Sequence, residues 1–166
     1  MPRIAHLSDL HFGEAPPDLV ESLAADVIMA RPDAVAVSGD LTLGGRLTGE
    51  VSVETVSGNM RVDSKGERLR RLSVETVSGD ADLKVALQPD GEISMESVSG
   101  DLTLTVPRDL SARVTGESFS GDLSAPGAKI EREEFGPGSS FHTRYGAGKG
   151  DVRIETFSGD ATLRLL

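Results

Sequence analysis

Five segments of the chain align on a Ser-Gly pair: VETVSGNMRV (53–62), VETVSGDADLKV (74–85), MESVSGDLTLTV (95–106), GESFSGDLSA (116–125) and IETFSGDATLRL (154–165). Gly58, Gly79, Gly100 and Gly121 follow one another at intervals of 21 residues, and a fixed period of that length is the mark of a stacked repeat. Within each copy apolar and polar residues alternate, as in Leu72, Val74 and Thr76 against Ser73 and Glu75, which is the period of a β-strand. The Ser-Gly pair supplies a residue free to take positive φ, and the Asp or Asn after it can bond nearby amides. Each unit therefore reads as strand, corner and strand, with Gly39, Gly58, Gly79, Gly100, Gly121 and Gly159 at the corners. Further turns are expected at QPDGE (88–92) and VPRDL (106–110). The fold class expected is mainly β, a β-solenoid of about 21-residue coils in which each coil buries its apolar face on the next.

Composition agrees with thin stacked layers. Aromatics make up 4% of the residues and glycine numbers 19, which favours sheets of Val, Leu and Ile joined by tight turns. With 166 residues, 37% of them apolar, the chain can build one ordinary core and a small second module. A formal charge of −10 argues against a nucleic-acid backbone or an anionic membrane as partner and leaves a protein or surface ligand. No cysteine is present, so disulfides and thiolate metal sites are excluded. The sequence as written has no apolar run of signal-peptide length and none of about eighteen residues, so a cytoplasmic location is expected.

The step from Gly121 to Gly159 is 38 residues and contains EREEFGPGSSFHTRYGAGKG (131–150). A solvated loop without a ligand is expected there, decorating or replacing one coil; GAGKG lacks the spacing and the Lys-Ser/Thr ending of a phosphate-binding loop. The repeated T-[VF]-S-G-D units and the closing YGAGKGDVRIETFSGD resemble the bacterial putative-adhesin β-strand repeat family, a domain of unknown function, over residues 43–166. That resemblance implies a β-solenoid often associated with the cell envelope, with no established catalytic residues: a non-enzymatic scaffold or interaction domain. Two columns of acids recur, Glu54, Glu75, Glu96, Glu117 and Glu155 in one and Asp80, Asp101, Asp122 and Asp160 in the other. Solvated rows are expected, with Ca²⁺ or basic partners as the functional alternative.

Residues 1–42 follow another grammar. PRIAHLSD reads as a buried strand, Leu19, Leu23, Val27 and Ala30 fall at helical spacing, Arg31-Pro32 ends that helix, and DAVAV forms a second strand. Strand, helix and strand make a βαβ unit. Asp9 and His11 follow its first strand and Asp40 its second, so two carboxylates and an imidazole at the ends of parallel strands are candidate ligands for one divalent metal, Mn, Fe or Zn; no cofactor is required otherwise. HLSDLHFG and VAVSGDLT resemble the first two motifs of the calcineurin-like metallophosphoesterases. By that resemblance Asp9 and His11 would bind a first metal, and Asp40 would bridge two that activate water. The family's remaining motifs need at least four more histidines, whereas the chain has only His6, His11 and His142, and Gly58-Asn59-Met60 has methionine where a histidine is needed. An inactive remnant is therefore expected over an enzyme, with a metal-dependent phosphoesterase or a metal-binding remnant as the alternative. SGDLT (38–42) belongs to both grammars, and the chain reads as a chimera in which residues 1–42 cap the first coils through Leu19, Leu23 and Val27.

Overall fold

The computed structural model describes residues 4–8, 29, 34–134 and 136–166. Strand β1 (Ile4–Ser8) pairs in parallel with β2 (Ala34–Ser38), from Ile4 opposite Ala34 to Ser8 opposite Ser38. One eleven-stranded sheet holds the rest: β3 (Leu41–Gly44), β4 (Gly49–Ser57), β5 (Met60–Ser78), β6 (Ala81–Ser99), β7 (Leu102–Val106), β8 (Ala112–Ser120), β9 (Leu123–Ser124), β10 (Glu131–Arg132), β11 (Ser139–Tyr145), β12 (Gly150–Ser158) and β13 (Ala161–Leu165). The described chain is mainly β and solenoid-like, its sheet curled into a half-barrel.

Parallel pairing across the stack places like residues on like. On one side of the corner Val53, Val74, Met95, Ile154 and Gly116 lie in register. On the other, Leu41, Met60, Ala81, Leu102, Ala161 and Leu123 do so, with Leu43, Val62, Leu83, Leu104 and Leu163 beside them. Nearly all of these face the core and are buried. Burying one such aliphatic side chain stabilises by roughly 1.5–3 kcal/mol, and a single coil gains this only by lying on a neighbour. At the corner the glycines stack directly: Gly79 has φ 119°, and a Cβ there would collide with the carbonyl of Gly58. Only glycine allows both that backbone and that approach.

The coils do not stack in chain order. β12 lies between β6 and β8, and β13 between β7 and β9, so the coil 150–165 is inserted between two coils that precede it in the sequence. The 38-residue step thus spans from a coil at the end of the stack back to an interior one. Part of the stretch expected to be a solvated loop is also structural: β11 pairs antiparallel with β8 and β10 with β11, and Ser139 and Phe141 are buried. Phe141 is needed because Gly116 leaves its column empty at that coil, and the ring lies where a Gly116 side chain would be. The turn at VPRDL is present, with Leu110 N donating to Pro107 O at 3.1 Å. QPDGE instead continues β6, with irregular pairing near Leu69 and Arg71.

The parallel pair β1–β2 has the arrangement read for the two strands of the front segment. Of its expected crossover helix only Met29 is among the described residues, while Leu19, Leu23 and Val27 lie outside them, and no N-terminal βαβ cap is part of the fold described.

Candidate functional site

Asp9 and His11 lie outside the described residues. Asp40 is exposed and its Oδ1 accepts the backbone N–H of Asn59 at 2.7 Å. The same bond repeats up the stack. Asn59 Oδ1 accepts from Asp80 N at 3.1 Å, Asp80 from Asp101 N at 3.0 Å, Asp101 from Asp160 N at 2.9 Å, and Asp160 from Asp122 N at 2.8 Å. Arg132 closes the row on Asp122 Oδ1 at 2.8 Å. Every side chain of the row except Asp122, which takes Arg132, thus satisfies an amide that the bend leaves without a ladder partner. This structural duty engages Asp40 and the whole aspartate column. Among the described residues no three metal-ligating side chains gather.

The glutamate column has no such duty. Glu54, Glu75, Glu96, Glu155 and Glu117 are register partners on five adjacent strands, with side chains turned outward. Two residues further along the same face stands a second row, Val56, Val77, Val98, Phe157 and Phe119. These side chains are exposed by 69%, 48%, 51%, 57% and 51% in that order. The two phenyl rings stack with centroids 4.7 Å apart and planes 6° from parallel. Five scattered apolar residues would be unremarkable on a protein surface, but these five form one exposed apolar stripe across adjacent strands. Both rows border a groove of about 1080 Å³, lined also by Arg132, Ser140 and His142 of the β10–β11 hairpin.

Across these five strands the outward residues aligned with Ser52, Glu54 and Val56 include a single cation, Arg153. Its guanidinium bonds Glu155, which holds it more firmly protonated, and Glu117 and Glu96 add to that effect. Away from the groove the face is balanced by ion pairs such as Arg71–Glu92 at 3.0 Å and Arg113–Asp151 at 2.9 Å. Arg113 holds the Asp151 carboxyl below the usual carboxylate range. The glutamate row therefore stands beside the apolar row with Arg153 as the one cation among these aligned positions.

That apolar row carries a sequence signal. The residue before each Ser-Gly is Val or Phe in every copy, yet it sits two places after the outward Glu and must share its face.

A family described as Toastrack DUF4097 matches residues 22–164, most of the chain. The chain belongs to the Toastrack DUF4097 family. The Toastrack match takes in residues 22–42, where the sequence suggested a phosphoesterase-like segment, and lends that suggestion no support. No curated protein matches. Among solved structures, this Toastrack chain is similar to a "putative cell adhesion protein" from Clostridium sporogenes, with 21% identity and a TM-score of 0.59. The similarity covers 73% of this chain and 57% of that one, and it supports the fold. Among the described residues, no helix is long and apolar enough to cross a membrane.

Proposed function

We propose that this Toastrack domain is a non-enzymatic, adhesin-like interaction module that binds a protein surface through the outward face carrying the glutamate and Val/Phe rows. The observation that carries this reading is the continuous apolar row, exposed on five consecutive strands and ending in stacked phenyl rings. Rigid strands hold the row in place, so little ordering cost falls on binding. The fold similarity to a cell adhesion protein is in keeping with it. The module needs no cofactor for this role.

Its test is retention under flow of beads coated with the chain, on a panel of bacterial and host cell surfaces. Wild-type beads should hold to at least one surface, and beads carrying Val77→Thr, Val98→Thr and Phe157→Thr together should wash off like bare beads. Equal retention of the two, or retention on no surface, would overturn the reading.

A further inference from the structure

Building on that reading, we propose that the occupant of this face is a cationic amphipathic α-helix laid along the stack. Its apolar stripe would cover the Val/Phe row and its Lys or Arg residues would face the glutamate row.

The spacing of the rows selects a helix. Neighbouring strands lie about 4.8 Å apart, so five of them set a row roughly 19 Å long. A helix advances 5.4 Å per turn, and about 13 residues cover that length, with positions i, i+4 and i+7 meeting successive strands nearly in phase. An extended segment laid along the same line repeats its side every ~6.8 Å and is out of phase by the second strand. The row lies on the face of the sheet, and on each strand the residues on either side of it are register partners of the neighbouring strands, so the row presents no open sheet edge for an added strand.

Charge selects the sign. Five carboxylates border the row, and the one guanidinium that faces them within these strands is already bound to Glu155 with Glu96 and Glu117 around it. A second copy of the chain would bring the same acidic row face to face with this one, at a cost. The chain's own amphipathic stretch, residues 18–30, carries Asp18, Glu21 and Asp26 with no Lys or Arg, so its charge is wrong for the groove.

The experiment uses the full chain and a fluorescein-labelled synthetic 18-residue peptide of Leu and Lys, patterned so that Leu forms one helical stripe flanked by Lys. Two control peptides accompany it, one with the same composition in strict Leu-Lys alternation and one with Glu in place of every Lys. Anisotropy titration should show the helical Lys peptide binding about tenfold or more tighter than either control, a difference of about 1.4 kcal/mol. The pair Val98→Thr and Phe157→Thr should weaken that binding about tenfold, and Glu75→Gln with Glu96→Gln should weaken it similarly while flattening its salt dependence. All four substitutions are on exposed positions, and unchanged circular dichroism shows that the variants fold. No binding, equal binding of either control, or binding untouched by both variant pairs would overturn the proposal. If the row-dependent bead retention persists in that case, the interaction face stands and the helical cation alone is wrong; if retention is also lost, both fall.

Discussion

Beneath the outward rows, facing inward, Thr55, Thr76, Ser97, Thr156 and Ser118 form a buried column. Thr55 and Ser97 reach nearby carbonyls, whereas the hydroxyls of Thr76, Thr156 and Ser118 have no partner among the described residues. A buried hydroxyl without a bond carries its full desolvation cost, so Val, of the same shape, should do better in this place. Thr76→Val is expected to raise stability by about 1 kcal/mol in urea unfolding; a loss would show that the hydroxyl is bonded in solution. Tyr145 tests the opposite situation. Its hydroxyl donates to Pro126 O at 2.6 Å, and burial pushes its ionisation above the ordinary 10.0. Raising the folded value favours the neutral phenol, so the unfolded chain gives up its proton first and stability falls as pH climbs from 10 through the folded value. In Tyr145→Phe that part of the alkaline decline should disappear. Because the chain has a single tyrosine, absorbance of the phenolate follows this group alone.

Among the elements, β11 shows what the pattern could and could not reveal. The period of 21, the alternation and the Ser-Gly corners were enough to read strand, corner and strand in each copy, because each of those properties is written locally and repeated. The role of residues 139–145 was not, because it depends on a partner far along the chain: Gly116 breaks the apolar column that Val53, Val74, Met95 and Ile154 maintain, and Phe141 fills the break from β11. Both halves of that arrangement look like irregularities when read alone. Of the candidate site, the glutamate row is legible by column, and the apolar row beside it is marked by the constant Val or Phe before Ser-Gly, a signal that merges with the corner when each copy is read alone. The front segment misled because SGDLT serves equally as a strand end before a metal and as a repeat corner, and Asp40 takes the second role toward Asn59. Phe141→Ala should cost about 3–5 kcal/mol in chemical denaturation, and adding Gly116→Val to that variant should recover part of it, since the column is then closed from β8 itself. A double variant weaker than Phe141→Ala alone would mean that the two positions are not exchanging one space.

For the molecule as a whole, the decisive feature is the coil 150–165 in the interior of the stack. It carries two of the hydrogen bonds of the Asp/Asn row, from Asp160 N to Asp101 and from Asp122 N to Asp160, across 59 and 38 residues of chain. A solenoid stacked in chain order can lose its last coil and fray from one end; this one would be cut in the middle. A chain lacking residues 150–166 is therefore expected to lose native circular dichroism throughout, not in proportion to the 17 residues removed, and a synthetic 150–165 peptide should restore part of the signal. Retention of a native spectrum by the shortened chain would show that the coils on either side can close on each other. The same placement sets a problem of timing for the ribosome. The coils built on β6–β7 and β8–β9 are both synthesised before the coil that separates them, so neither has that neighbour until β12 and β13 emerge. Until then the apolar edges of both coils stay uncovered, so the stack closes late in synthesis and its long-range pairings form slowly.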